Sequence, residues 1–71
     1  MSPDAYERAI QRIDAEFDIP QYDVSGLIRL IRANDGRLPA DKYERFGYLP
    51  DAVLQRIEAI VREVFGIGID G

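Results

Sequence analysis

Proline at positions 3, 20, 39 and 50 and glycine at 36, 47 and 66 cut this chain of 71 residues into short pieces. Each piece carries apolar residues at helical spacing, so the punctuation marks where helices begin and end rather than where strands turn. Ser2-Pro3-Asp4 reads as a helix start, with Ser2 as N-cap, Pro3 at the first helical position and Asp4 in the positive first turn. Tyr6, Ala9, Ile10, Ile13 and Phe17 then follow one face, predicting a helix over about 3–17 that Asp18-Ile19-Pro20 stops. Asp23 is a reasonable cap for a second helix over about 24–34, with Val24, Leu27, Ile28 and Ile31 on one face. Leu30 lies off that face, so this helix is expected to be covered from two sides. Asn34-Asp35-Gly36 stops it, glycine being the residue that accepts the left-handed conformation past a helix.

Two further starts, Leu38-Pro39 and Leu49-Pro50, stand eleven residues apart. The first opens a short helix over 39–46 that ends at Gly47. The second opens a longer one over 50–65 that ends at Gly66. In each, the Leu before the Pro can staple the start to a residue one turn on. Val53, Leu54, Ile57, Ile60, Val61, Val64 and Phe65 give the last helix an apolar arc of roughly 140°, wide enough for two neighbours or a second chain. The expectation is an all-α bundle of three main helices and one short one, forming a single domain over 1–66 with a loose tail at 67–71. A domain this short buries about 60% of the surface its unfolded chain exposes, so a partner could add much to its stability.

Composition narrows the chemistry. The chain contains no Cys, His, Trp or Thr. Thiolate and imidazole metal ligands, disulfides, thiol nucleophiles and the commonest general base are therefore missing. The hydroxyls are those of Ser2, Ser25 and four tyrosines, and with Lys42 the single lysine no nucleophile has an evident activating base. Asp14-Ala15-Glu16-Phe17-Asp18 imitates the start of a calcium loop, but Ile19 stands where Gly is needed and Ser25 where the twelfth-position acid is needed. The expectation is a protein that is not an enzyme and carries no cofactor or metal. Absence of Cys, of a signal-like start and of any apolar run near ~18 residues points to the cytoplasm and away from a membrane.

The net charge of −4 is lopsided. Residues 4–23 hold six acids against two bases, whereas residues 24–71 hold seven of each. At ~100° per residue Asp4, Glu7, Gln11, Asp14 and Asp18 fall within about 80° of one another, giving the first helix a stripe of four carboxylates. Such a stripe is either a solvated face or a docking surface for a basic partner. Residues 29–45 are the basic region, with five bases and three acids. Arg29 and Arg32 lie on one side of the second helix with Ser25. They either serve a partner or pair with the acidic stripe inside the monomer, where exposed pairs contribute only ~0–1 kcal/mol each.

Residues 24–46 also have helix-turn-helix spacing, which would make Arg37, Lys42 and Arg45 contacts to DNA. Asp41 and Glu44 interrupt that surface, and the overall acidity disfavours nucleic acid. Tyr22, Tyr43, Phe46 and Tyr48 cluster around the loops and the short helix. Phe46 is expected in the core and Tyr48, in the turn after Gly47, as an exposed anchor.

Leu27 to Val64, with LIRLIRANDGRL, a Phe before a Leu-Pro turn and a closing RIEAIV helix, resembles a short helical segment appended to some Fic-type filamentation proteins. The sequence departs after Gly-x-Leu, where Ala40-Asp41-Lys42-Tyr43-Glu44 stands in place of a basic cluster. It has no His-Pro-Phe and Gly-rich nucleotide-handling motif, so the resemblance implies an accessory or regulatory module without transferase activity.

Three functions stay open on the sequence. The first is a protein-binding regulator or inhibitor of a larger partner with a basic surface. It would use Asp4, Glu7, Asp14 and Asp18, with Arg29, Arg32 and Tyr48 as secondary contacts. The second is a DNA reader using Arg37, Lys42 and Arg45. The third is a structural unit that self-associates, as a homodimer, through helix 50–65.

Overall fold

The structure, a computed structural model, describes residues 4–39 and 46–67. Among these, three helices and no strand are present: α1 (Ala5–Glu16), α2 (Gln21–Ala33) and α3 (Asp51–Phe65). The all-α bundle expected from the spacing is the observed architecture. The short helix expected over 39–46 falls on residues 40–45, outside the described residues. Phe46, at its end, is fully buried.

The helix starts differ from expectation in an instructive way. Asp4, expected in the first turn, is itself the N-cap of α1, and its Oδ1 accepts the Glu7 N–H at 2.9 Å. Asp4 and Glu7 hold the N-cap and N3 positions, where a side-chain oxygen satisfies a donor that the helix cannot. The helix therefore begins at residue 5 and closes at Glu16, with Phe17 extended. Asp23 is not the cap of α2. That helix starts three residues earlier than expected, directly after Pro20, which offers no side-chain cap but accepts the N–H groups of Asp23 and Val24 at 2.9 and 3.1 Å. Pro50 plays the same part for α3, accepting from Val53 and Leu54. Both prolines thus stand just before the first helical residue, a position that asks nothing of the missing N–H.

The ends of α2 and α3 are glycine-assisted. At the end of α2 the left-handed backbone begins at Asp35 (φ 56°), one residue before Gly36 (φ 89°), and the Gly36 N–H reaches back to the Ile31 carbonyl at 2.8 Å. Gly66 (φ 68°) ends α3 in the same manner, with Ile67 N–H on the Arg62 carbonyl at 3.1 Å. Ile67, the first residue of the expected tail, is tied to the end of α3 by that bond and is half-buried. The rest of that expected tail, 68–71, lies outside the described residues.

The core is built from one face of each helix: Ala9 and Ile13 of α1, Val24, Leu27, Ile28 and Ile31 of α2, and Leu54, Ile57, Ile60 and Val61 of α3. Ile19 and Phe46 close it from the connections. No polar side chain is buried among the described residues, so apolar burial, about 1.5–3 kcal/mol for each large side chain, drives the assembly. The α1 and α3 helices run antiparallel, since Arg12 meets Glu63 and Glu16 meets Arg56. The α2 and α3 helices run in the same sense. Asp23 near the start of α2 meets Tyr48 just before α3, and Arg32 and Gly36 meet Phe65 and Arg62 near the α3 end. The wide apolar arc of α3 is used within the chain, its centre buried and Val53, Val64 and Phe65 packed against the same core.

Candidate functional site

The segment after α2 is held down by two polar side chains of α3. Glu58 Oε2 accepts the Leu38 N–H at 2.6 Å, and Arg62 Nη1 donates to the Gly36 carbonyl at 3.0 Å. A loop N–H and C=O that would otherwise lose water without a partner are satisfied there. Arg32 is drawn to the same end, its guanidinium 4.5 Å from the centre of the Phe65 ring. The polar surface of α2 therefore divides: Asp23 and Arg32 are engaged on the α3 side by Tyr48 and Phe65, and the half of its surface that carries Ser25 and Arg29 is left beside α1.

Between that half of α2 and the start of α1 lies an open groove of about 700 Å³. Its α1 wall is Asp4, Tyr6, Glu7 and Ile10. Its α2 wall is Gln21, Tyr22, Ser25, Gly26, Arg29 and Leu30, which fall along one stripe of the helix. The two walls touch at the floor, where the Tyr6 and Ser25 hydroxyls share a hydrogen bond. Small side chains at Ser25 and Gly26 leave the space above that contact open. Tyr22 stands at the mouth, 77% exposed. A second depression, about 540 Å³, lies between α1 and α3 and is crossed by the Arg12–Glu63 pair at 3.2 Å.

The acidic stripe is exposed along its length. Asp4 and Glu7 reach the groove, Asp14 continues the same flank two turns beyond Glu7, and Asp18 lies in the connection to α2. Arg29 joins the groove from the opposite wall. Arg32 does not, being held over Phe65. Pairing of Arg29 and Arg32 with the stripe does not occur: among the described residues the ion pairs are Arg12–Glu63 and Glu16–Arg56, both between α1 and α3. The second of these is bidentate, at 2.9 and 2.8 Å. It holds the Glu16 carboxyl below its ordinary pKa, mainly through the hydrogen bonds, and raises that of Arg56.

Tyr48 is 58% exposed, as expected, and its hydroxyl donates to Asp23. That bond favours the neutral phenol and pushes its pKa above the ordinary 10.0, with desolvation and the Asp23 charge adding to the effect. Arg37 is exposed beside the end of α2, its carbonyl accepting from Asn34 Nδ2 at 3.2 Å. Lys42 and Arg45 lie outside the described residues. Among those described, no cluster of three or more acids could hold a metal ion, and no helix is long and apolar enough to cross a membrane.

Sequence reasoning did not single out Tyr22 and Gly26 as site residues. The signal was an adjacent Ser25-Gly26 in the middle of an otherwise strong helix, where glycine is unfavourable by about 1 kcal/mol relative to alanine. No family model, curated protein or solved structure matches the chain.

Proposed function

We propose that this chain is a non-catalytic protein-binding module, a regulator of a larger protein that presents a basic surface. One observation carries the reading. Asp4, Glu7 and Asp14 stand exposed on one flank of α1, and Asp18 in the connection after it, without an ion pair to any described residue, while Glu16 and Glu63, which face the α1–α3 seam, are both paired. Charge at the α1–α3 seam is paired and charge on the outer flank is left for something else, which is how an electrostatically steered surface is built. The resemblance of residues 27–64 to a segment accompanying Fic-type proteins supports a regulatory rather than a catalytic part. The cysteine-free composition suits a reducing cytoplasm.

The test is affinity capture from nuclease-treated native lysate, wild type beside Asp14→Lys/Asp18→Lys. Both positions are exposed, so circular dichroism should show the variant folded. A stoichiometric protein kept by wild type, released by salt and absent from the variant is the expected result. Equal capture by both forms would make the stripe mere solvated surface and overturn the reading.

A further inference from the structure

We propose that the α1–α2 groove seats an amphipathic helix of the partner, with apolar side chains in the groove, Lys or Arg on the flank facing α1 and an acid on the flank facing α2. The proposal rests on the protein-binding reading and adds where the partner sits and what pattern it carries. The argument is one of charge complementarity across a shaped depression. The α1 rim is anionic, with Asp4 and Glu7, and the α2 rim is cationic, with Arg29.

Opposite charges on facing walls would ordinarily close on each other, as Glu16 and Arg56 do across the α1–α3 seam. Here they are held apart by the groove, and neither rim forms an ion pair with a described residue. An occupant of inverse polarity would meet both rims, whereas a uniformly cationic one would face Arg29 and a uniformly anionic one would face Glu7.

Size and floor agree with a helix. The α2 wall runs from Gln21 to Leu30, ten residues or roughly 14 Å, which is about two and a half turns of a facing helix. Ile10 and Leu30 supply apolar surface, and the Tyr6–Ser25 hydrogen bond satisfies the floor hydroxyls before anything docks. Tyr22 at the mouth offers the large, stiff side chain common at interface centres. Asp14, two turns beyond Glu7, would extend the anionic rim to a second basic residue seven positions along the partner.

Three synthetic helical peptides with the same leucine stripe test this by heteronuclear NMR titration: one flanked by Lys on one side and Glu on the other, one by Lys on both and one by Glu on both. The wild-type chain should bind the mixed peptide several-fold tighter than the all-Lys one and on the order of tenfold tighter than the all-Glu one. Signals of Ile10, Tyr22, Ser25 and Arg29 should move, and affinity should fall with salt. Arg29→Glu, at an exposed position outside the core, should reverse the order and favour the all-Lys peptide.

Equal binding of the three, shifts confined to other surfaces, or no binding of the mixed peptide would overturn the proposal. The broader reading is tested separately. A captured protein that Asp14→Lys/Asp18→Lys loses but Arg29→Glu retains would leave a binding module whose partner sits outside the groove.

Discussion

Arg62 lies across Gly36, donating from Nη1 to the glycine carbonyl at 3.0 Å while its methylenes fill the place where a side chain would begin. A Cβ built on residue 36 stands 2.8 Å from Arg62 Cγ and 3.2 Å from Ile67 Cγ2. Gly66 has a similar left-handed backbone, yet a Cβ there meets nothing within 4 Å. The two glycines therefore separate backbone strain from steric conflict. Gly66→Ala should lose about 1–2 kcal/mol from the left-handed backbone alone. Gly36→Ala should lose that and about 1 kcal/mol or more from displacing Arg62. Urea denaturation of the two variants should show Gly36→Ala as the less stable, and equal midpoints would mean that Arg62 moves aside freely.

Asp35 precedes that glycine in the left-handed region at φ 56° and stands two residues past the C-terminal end of α2, an acid at the negative end of the helix. The charge opposes the helix dipole, and Asn tolerates the same backbone. Asp35→Asn should stabilise the fold by about 0.3–1 kcal/mol, less at high salt. A thermal melt at two salt concentrations checks both the sign and the screening.

Among the described residues Phe46 is the largest fully buried side chain, and it comes from the connection between α2 and α3 rather than from a main helix. Removing it should cost about 3–5 kcal/mol, a large part of the ~4–10 kcal/mol expected for a chain of this length. Phe46→Ala should lower the melting temperature by more than about 12 °C or abolish the cooperative transition. A shift of only a few degrees would show that Phe46 is not holding the connection in place.

These residues also show what could be read from the sequence and what could not. The helices were legible because Ile13, Leu27, Ile31, Ile57 and their neighbours repeat at helical spacing, and these four are buried with the others buried or packed against the core. Phe46 was legible as core and Tyr48 as exposed. The exact starts were not, because several residues compete for one cap: Ser2 and Asp4 are both capping types, and Asp23 outranks Pro20 on preference alone. The Asp4-x-x-Glu7 spacing was the available clue to the first.

Pairing between helices was the larger gap. Charge alone offers Arg29 and Arg32 either a partner or the stripe of α1, because which flank faces which neighbour depends on three-dimensional packing. Arg12 and Glu16, four apart on one flank of α1, found Glu63 and Arg56 instead. The groove escaped for the same reason, since it exists only where the Ser25-Gly26 step of α2 comes to face Tyr6 and Ile10.

Two exposed contacts make the stability of the fold depend on pH at opposite ends. The carboxyl of Glu16 lies below its ordinary 4.5 because Arg56 donates to it, with partial desolvation working the other way. A group whose folded pKa is depressed stabilises the fold above its unfolded pKa, and that contribution is lost as pH falls through the folded value. Tyr48 behaves in reverse. Its pKa is raised above 10.0, so its hydrogen bond to Asp23 stabilises the fold below that pH and is lost as pH rises through the raised value.

Glu16→Gln should therefore flatten the acid limb of a stability–pH curve and leave the alkaline limb alone, while Tyr48→Phe should do the converse. Salt should shrink both differences, because both contacts face solvent. Ultraviolet titration provides the independent check: one of the four phenols should ionise later than in the Asp23→Asn variant, and identical titration curves would mean that Tyr48 does not hold Asp23 in solution.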